Sequence, residues 1–296
     1  MLLFSAPLDF DPEVWREYQA VTPAGAEVWV RDAITEWVCS PAENRYIGDA
    51  ELAQYPNLRI LATASTGTNH IDLDACKRRG IRVISLLDDR AGLETISASA
   101  EWTFKLILEG LRLKRPYHEL QGRTVGLIGH GRIGRKIAKW SRAFGAEVDW
   151  YDPWGGDYML TLGTMFFKDI VVICCALSED TKSLIDYDLL KLLPKDAVLV
   201  NTARGEIINT GHLLKFMDER PDVRVCLDVV PGEVDGAAEV YRIPLQAAGA
   251  YVTPHIAGDT YESRTKAARI ILGLLKSARE AENGAASPVA EGDYVR

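Results

Sequence analysis

Short apolar runs alternate with amphipathic segments along most of the chain. Before residue 90 the strand candidates are Leu2–Ser5, Glu27–Val30, Glu36–Cys39, Arg59–Ala64 and Arg82–Leu86. The segments Pro12–Ala20, Ala50–Gln54 and Asp72–Arg79 lie between them and repeat apolar residues at helical spacing. Strands that alternate with helices in this way predict a parallel sheet covered by helices.

A second alternation begins at Val125. Its strand candidates are Val125–Ile128, Glu147–Tyr151, Ile170–Cys175, Ala197–Asn201, Arg224–Leu227 and Ala250–Thr253, and its helix candidates are Arg132–Phe144, Tyr187–Leu193 and Thr210–Glu219. One long amphipathic helix from Leu93 to Arg115, ended by Pro116, is predicted before it, and a last helix from Tyr261 to Glu282 after it. A length of 296 residues, 47% of them hydrophobic, suffices for two such domains.

The clearest motif is the glycine turn Gly129-His130-Gly131-Arg132-Ile133-Gly134, which lies between a predicted strand and a predicted helix. In this setting G-x-G-x-x-G is typical of dinucleotide binding. Gly129 allows a tight turn, Gly131 lets a pyrophosphate approach the backbone, and Gly134 lets helix and strand pack closely. The helix N-terminus offers N–H groups to the phosphates. Asp152 ends the next strand, where an acidic side chain is expected to meet the ribose 2′-hydroxyl.

A short loop follows each of the other strands of the second alternation. The residues of these loops are Ala176-Leu177, Thr202-Ala203-Arg204-Gly205, Asp228 with Glu233, and Pro254-His255. Because the carboxyl ends of parallel strands meet at one edge of a sheet, we expect all of them to face the dinucleotide crevice. One arginine, one or two carboxylates and one histidine at that edge indicate chemistry in addition to binding.

These side chains suit hydride transfer, in which the protein supplies a proton partner and holds the substrate. Histidine is the usual proton partner in enzymes, and Glu233 could fix the tautomer of His255. Arg204 presents a planar fork that fits a carboxylate or carbonyl oxygen. Plain structural alternatives remain open: a satisfied structural His255, an ion pair between Arg204 and Glu206, and Asp228 as a loop cap.

Composition and charge narrow the class of protein. The net charge of −8 argues against a nucleic-acid partner. No apolar run approaches the roughly 18 residues of a membrane span, and the N-terminus does not read as a signal peptide. The five cysteines show no metal-ligand spacing, so we expect no metal site and a reduced, cytoplasmic protein. An anionic substrate would need local donors. The loop Ser65–Asn69 offers backbone N–H groups, although an ordinary turn is equally compatible.

The sequence resembles the D-isomer-specific 2-hydroxyacid dehydrogenases, the family of D-3-phosphoglycerate dehydrogenase, glyoxylate/hydroxypyruvate reductase and formate dehydrogenase. The resemblance covers roughly Ser40 to Lys276. Its motifs are Ser65–Asp72, Ser99-Ala100-Glu101, Gly129–Gly134 with Asp152, Val200–Glu206, Asp228 with Glu233, and Pro254–Gly258. The fold implied is a Rossmann NAD-binding domain, residues 94–261, inserted into a flavodoxin-like substrate domain, residues 1–93 and 262–296.

The resemblance also implies a role for each matching position. Arg204 would bind the carboxylate and keto oxygen of a 2-hydroxy or 2-keto acid, with His255 as general acid/base and Glu233 as its partner. The substrate-binding loop would be Ser65, Thr66, Gly67 and Thr68. The cofactor-binding positions would be Gly129, Gly131, Arg132, Ile133, Gly134, Asp152, Ala176, Thr181, Thr202, Ala203, Asp228 and His255.

NAD is the cofactor implied, since the charge of Asp152 would repel the 2′-phosphate of NADP. A homodimer that acts on a small-molecule 2-hydroxy or 2-keto acid is the assembly implied. Phosphoglycerate, glyoxylate or hydroxypyruvate, and a sugar acid remain open as substrates, and Arg45 is either a contact for an anionic tail or a surface residue.

Several departures from the family pattern affect this interpretation. The segment between Asp152 and Asp169 is short, so Tyr158–Lys168 must bridge it directly. Ala176 replaces a common proline, and Pro231-Gly232 could reshape the loop that aims Glu233. Residues Ser40–Arg45 lack the Arg-Ser-x-Thr pattern that is frequent in phosphoglycerate enzymes. The short segment would leave the adenine side of the cofactor site open. An NAD(H)-sensing, corepressor-like protein and an enzyme that has lost cofactor affinity are the alternatives.

Overall fold

The computed structural model describes residues 2–4, 11–20, 31–40, 46–153, 155 and 160–285. The chain divides into two compact units, one formed by Met1–Thr95 and Arg264–Arg296 and the other by Ile96–Ser263. The predicted strand Glu27–Val30, Ser5 at the end of the first predicted strand, Arg45 and Tyr158 lie outside the described residues.

The first unit contains a parallel sheet whose described strands have the order β1-β2-β3-β4. These strands are β1 (Leu2–Phe4), β2 (Glu36–Cys39), β3 (Ile60–Thr63) and β4 (Arg82–Ile84), and the helices are α1 (Pro12–Ala20), α2 (Asp49–Leu52), α3 (Leu73–Arg78) and α4 (Arg90–Glu94). Every residue of β2 and β3 is buried, as expected for parallel strands covered on both faces. Trp37 of β2 is fully buried and its ring contacts that of Tyr55.

The second unit contains six parallel strands in the order β10-β9-β8-β7-β5-β6. The strands are β5 (Thr124–Ile128), β6 (Glu147–Tyr151), β7 (Ile170–Ile173), β8 (Val198–Asn201), β9 (Arg224–Leu227) and β10 (Tyr251–Val252). The helices are α5 (Ala98–Leu113), α6 (Arg132–Ala143), α7 (Leu162–Met165), α8 (Tyr187–Leu190), α9 (Thr210–Glu219) and α10 (Ala238–Ala247). The strand order reverses between β5 and β7, the position at which such sheets bind ligands.

The last helix, α11 (Tyr261–Ala285), begins in the second unit and runs through the first. The Tyr18 hydroxyl donates to the Ala268 carbonyl oxygen at 2.7 Å, and Arg279 Nε donates to Glu36 Oε1 at 2.7 Å. The helix therefore packs across the first unit, as the sequence predicts, and continues three residues beyond the predicted end at Glu282. No helix among the described residues has the length and apolar character that crossing a membrane requires.

The fold-class prediction of two doubly wound α/β domains is confirmed, but some element predictions are wrong. The helix predicted from Leu93 to Arg115 is two helices, with Thr95, Ile96 and Ser97 between α4 and α5. β-Branched residues followed by serine favour a helix boundary. The short helix α7 lies in the segment between Asp152 and Asp169, which was predicted to connect the two strands directly. Helix α10 was not predicted, because Pro244 within it reads as a helix breaker.

Candidate active site

The glycine turn after β5 has the backbone that dinucleotide binding requires. Gly129 adopts φ +100°, and a Cβ atom there would lie 2.7 Å from the Cys175 nitrogen. A Cβ atom on Gly134 would lie 2.4 Å from the Gly129 carbonyl oxygen. Neither position tolerates a side chain. A Cβ atom on Gly131 would meet nothing within 4 Å, so open space lies beside the backbone at the position expected for the pyrophosphate.

The N-terminus of α6 is suited to phosphate binding. Gly131 is the N-cap residue and no side chain caps the helix, as expected for a helix start that receives an anion. The Arg132 guanidinium donates to the Ile96 carbonyl oxygen at 2.6 Å. Contact of Arg132 and Ile133 with the cofactor stays a prediction. The turn and the helix N-terminus fit a dinucleotide pyrophosphate.

Asp152 lies at the carboxyl end of β6, beside the glycine turn. Its Oδ2 accepts from the His130 N–H at 2.8 Å and its Oδ1 from the Gly155 N–H at 3.0 Å. Each carboxylate oxygen has two lone pairs, so one on each oxygen remains for a ribose hydroxyl. Asp152 thus holds the turn in place in addition to the ribose contact that the resemblance implies.

The loop after β7 is closed by Thr181, which is buried. The Thr181 hydroxyl donates to the Ala176 carbonyl oxygen at 2.7 Å and accepts from the Ser178 N–H at 2.7 Å. The hydroxyl therefore shapes the loop at the edge of the crevice. Contact of Ala176 and Thr181 with the cofactor stays a prediction.

The loop after β8 carries Arg204 and is fixed by Asn201, which ends the strand. The Asn201 side chain accepts from the Ala203 N–H at 3.0 Å and donates to the Arg204 carbonyl oxygen at 2.9 Å. The Arg204 guanidinium donates to the Ala203 carbonyl oxygen rather than pairing with Glu206. Burial holds the pKa of Arg204 below its ordinary value, an effect that the charges of Glu233 and Glu206 partly offset. The guanidinium stays charged, because an arginine side chain does not lose its proton in a protein.

The loop after β9 directs Glu233 towards the histidine. Gly232 adopts φ +76°, and its carbonyl oxygen accepts from the Ala237 N–H, so the chain turns sharply at the Pro231-Gly232 departure. Glu233 Oε1 accepts from the Val230 N–H at 3.1 Å. The altered loop therefore still aims the carboxylate.

Glu233 and His255 form the central pair of the site. Glu233 Oε2 lies 2.6 Å from His255 Nδ1, and the side chain of His255 is 42% exposed against 16% for Glu233. With Nδ1 bound to the carboxylate, Nε2 is the ring atom left to exchange a proton with a ligand. His255 adopts φ +56°, a left-handed conformation of the kind that clusters at functional sites.

Asp228 holds the loop that carries His255. Its carboxylate is fully buried and accepts from the Ile256 N–H at 3.1 Å and the Ala257 N–H at 2.9 Å, while its carbonyl oxygen accepts from the His255 N–H. Of the alternatives for Asp228, the structure shows the loop cap. Contact of Asp228, Thr202 or Ala203 with the nicotinamide stays a prediction.

The loop after β3 lies in the first unit. Ser65 Oγ donates to the Gly67 carbonyl oxygen at 2.6 Å. Within the described part of the chain, no acceptor pairs with the N–H groups of Thr66, Gly67 or Thr68. These free donors fit the predicted anion contact.

The sequence reading missed Thr103 and Thr253 and assigned no role to Asn201. All three are buried polar residues in or beside apolar segments. A polar residue at the last position of a buried strand, as Asn201 is, was the one available signal. Over the described ranges, no cluster of three or more His, Cys, Asp or Glu side chains is arranged to hold a metal ion.

Comparison with known proteins gives consistent matches. Residues 95–257 match the family model "D-isomer specific 2-hydroxyacid dehydrogenase, NAD binding domain". The glyoxylate reductase of Aeropyrum pernix is 31% identical over 88% of this chain and 84% of its own. The glyoxylate/hydroxypyruvate reductase A of Arabidopsis thaliana is 30% identical over 77% of this chain and 78% of its own.

A solved structure shares the fold along the whole chain. The NAD⁺-bound 3-phosphoglycerate dehydrogenase of Entamoeba histolytica superposes with a TM-score of 0.78 over 100% of this chain and 98% of its own, at 20% identity. At that identity the likeness concerns the fold alone.

Proposed function

The chain belongs to the D-isomer specific 2-hydroxyacid dehydrogenase family, and we propose that it reduces a small 2-keto acid to the D-2-hydroxy acid. It is an NAD-dependent oxidoreductase, which confirms the predicted enzyme class, and NAD(H) is its cofactor, as predicted. The substrates that we propose are glyoxylate and hydroxypyruvate.

The contact between His255 and Glu233 is the observation that carries the proposal. The carboxylate holds Nδ1 at 2.6 Å, so the Nε2 atom of the exposed imidazole can give a proton to the substrate carbonyl oxygen. A protein that only sensed NAD(H) would not need this pair. Arg204, which stays charged, would bind the substrate carboxylate and polarise its carbonyl. Bound NADH supplies the hydride.

The choice of substrate rests on the two curated relatives. The Aeropyrum relative is named a glyoxylate reductase and the Arabidopsis relative a glyoxylate/hydroxypyruvate reductase. A phosphorylated substrate needs cationic side chains. The exposed Arg90 directly follows Asp88 and Asp89, so phosphohydroxypyruvate is the competing substrate that the panel must include.

A keto-acid panel tests the proposal. Purified protein is mixed with NADH or NADPH and with glyoxylate, hydroxypyruvate, phosphohydroxypyruvate or pyruvate, and oxidation is followed by absorbance. We expect the highest kcat/KM with NADH and glyoxylate or hydroxypyruvate. Tight NADH binding without turnover of any member would contradict the proposal and favour the sensor. Loss of NADH binding in a fluorescence titration would instead identify an enzyme that has lost cofactor affinity.

We further propose a cytoplasmic homodimer. All five cysteines are free, which fits a reducing compartment. Leu108 on α5 and Phe144 after α6 are exposed apolar side chains on the NAD-binding unit, as an interface between subunits would require. Light scattering on the purified protein should give twice the monomer mass, and a monomer at all concentrations would exclude the dimer.

A further inference from the structure

Two consecutive residues of helix α5 reach the two loops that carry Arg204 and His255. The Trp102 indole Nε1 donates to the Thr253 hydroxyl at 3.4 Å, next to the His255 loop. The Thr103 hydroxyl lies 2.7 Å from the Thr202 hydroxyl, next to the Arg204 loop. The proposed chemistry does not use Trp102, Thr103 or Thr253 directly, and Thr202 is otherwise predicted only to contact the cofactor.

The direction of the first set of hydrogen bonds follows from the chemistry of its members. An indole N–H can only donate and a carboxylate can only accept, so the Thr253 hydroxyl accepts from Trp102 and donates to Asp228 Oδ1. Thr253 is 8% exposed and Asp228 is fully buried. A buried carboxylate without a cation depends on such donors, because each missing one leaves charge uncompensated.

Asp228 connects the Thr253 hydroxyl to the loop that carries His255. Its two carboxylate oxygens accept from the Ile256 and Ala257 N–H groups, and its carbonyl oxygen accepts from the His255 N–H. His255 adopts a left-handed conformation, and the bonds to Asp228 hold its loop in that conformation. The Thr253 hydroxyl holds the Asp228 carboxylate in place, and that carboxylate holds the loop that follows His255.

The second set of hydrogen bonds acts on the arginine. The Thr103 hydroxyl donates to the Ser99 carbonyl oxygen at 2.6 Å, so the Thr202 hydroxyl donates to Thr103. Thr202 is buried and lies two residues before Arg204. Asn201 fixes the same loop from the strand side. The Arg204 loop is thus tied to both the sheet and the helix.

Helix α5 packs closely against the sheet, so its position is fixed and it can hold both loops in place. A Cβ atom on Gly110 would lie 2.4 Å from Val198 Cγ1 of β8 and 3.3 Å from Cys226 Sγ of β9. On the premise of the proposed function, we propose that Thr253 and Thr103 are positioning residues. Through Trp102 and Thr103, helix α5 sets the placement of His255 and Arg204 relative to each other.

Hydroxyl deletion and conservative rescue test this proposal. In Thr253→Val we expect kcat for glyoxylate or hydroxypyruvate to fall about tenfold or more with KM for NADH unchanged, and Thr253→Ser should restore it. In Thr103→Val we expect mainly a rise in KM for the keto acid of about tenfold, restored in Thr103→Ser. Thr265→Val is the matched control, since its buried hydroxyl accepts from the Asp11 N–H in the first unit.

Amide hydrogen exchange supplies a readout that needs no turnover. In Thr253→Val the Ile256 and Ala257 amides should exchange faster than in the parent protein, while amides of β5 and β7 should not change. A parent protein that reduces no keto acid would overturn the proposed function alone, and exchange would then decide the positioning inference. The positioning inference would be overturned if amide exchange or kcat were unchanged in Thr253→Val. It would also be overturned if the valine and serine variants lost the same activity.

Discussion

Gly205 lies so close to Pro231 that a Cβ atom on the glycine would be 2.3 Å from the proline nitrogen and 2.1 Å from the Val230 carbonyl carbon. Gly205 directly follows Arg204, and Pro231 lies two residues before Glu233. The contact therefore joins the loop that would bind the substrate to the loop that orients the histidine. Pro231-Gly232, the dipeptide that departs from the family pattern, packs against the loop of Arg204 at this contact.

The first prediction concerns that contact. In Gly205→Ala the added methyl group must push the two loops apart, because the neighbouring atoms are backbone. We expect kcat/KM to fall about 10- to 100-fold, since small misplacements of reacting groups are costly. The control is Gly211→Ala in α9, where the nearest atom to a Cβ would lie 3.5 Å away. Steady-state kinetics and thermal unfolding of both variants check this, and an active Gly205→Ala would refute it.

The second prediction concerns the central pair. His255→Ala should lower kcat by about 10²–10⁴-fold, because the proton donor is lost. Glu233→Gln should lower it less, about 10- to 100-fold, because the glutamine can still contact Nδ1 without the charge. NADH titrations should be nearly unchanged in both. His212→Ala, on the exposed start of α9, serves as the control. Normal reduction by His255→Ala would end the assignment.

Choice of cofactor gives the third prediction. Asp152→Asn keeps an oxygen that can accept from the His130 N–H while removing the charge that would repel a 2′-phosphate. We expect the ratio of kcat/KM for NADH to that for NADPH to fall about tenfold. Asp149→Asn, on the same strand but paired with Lys168, is the control. An unchanged ratio would exclude Asp152 from cofactor selection.

A fourth prediction concerns stability at low pH. The Arg220 guanidinium lowers the pKa of Asp222 from 3.8 to about 2. Because the folded-state value is depressed, the stabilisation is complete above about pH 5 and is lost as the pH falls towards 2. Asp222→Asn should lower the free energy of unfolding by about 1 kcal/mol at pH 7, discounted for partial exposure, and by less at pH 3.

Urea unfolding at the two pH values measures this difference. Asp218→Asn, at an exposed position of α9, is the control and should show no pH-dependent loss. A loss of equal size at pH 7 and pH 3 would show that the carboxylate charge of Asp222 does not contribute.

The sequence predicts much of this architecture because parallel strands place their ends together. Six predicted strands, and the residues that follow them, were enough to predict that Asp152, Arg204, Glu233 and His255 lie at one edge. Local propensity was insufficient where tertiary contacts decide the structure. Pro244 lies inside α10, and at the break between α4 and α5 the amphipathic pattern that continues across Thr95-Ile96-Ser97 outweighed the local signal of these residues in the prediction.

Roles that depend on distant partners were also out of reach of the sequence. For Asp228 the sequence left two alternatives open, contact with the nicotinamide and a loop cap, and only the structure shows that its carboxylate binds the loop of residues 256 and 257. Thr253 is 151 positions from Trp102 in the chain, so no spacing rule connects them. The strand pattern of the sequence identifies the residues that lie at the carboxyl edge of the sheet. Burial and tertiary contacts decide which of these residues can contact a ligand.

The left-handed backbone at His255 has a consequence for engineering. Apart from glycine, asparagine, aspartate and histidine are the residues that adopt this conformation most readily. His255→Asn should therefore keep the loop geometry that His255→Ala strains, while it removes the ionisable ring. That variant is the natural choice for trapping the protein with a keto acid and NADH bound together and unreacted.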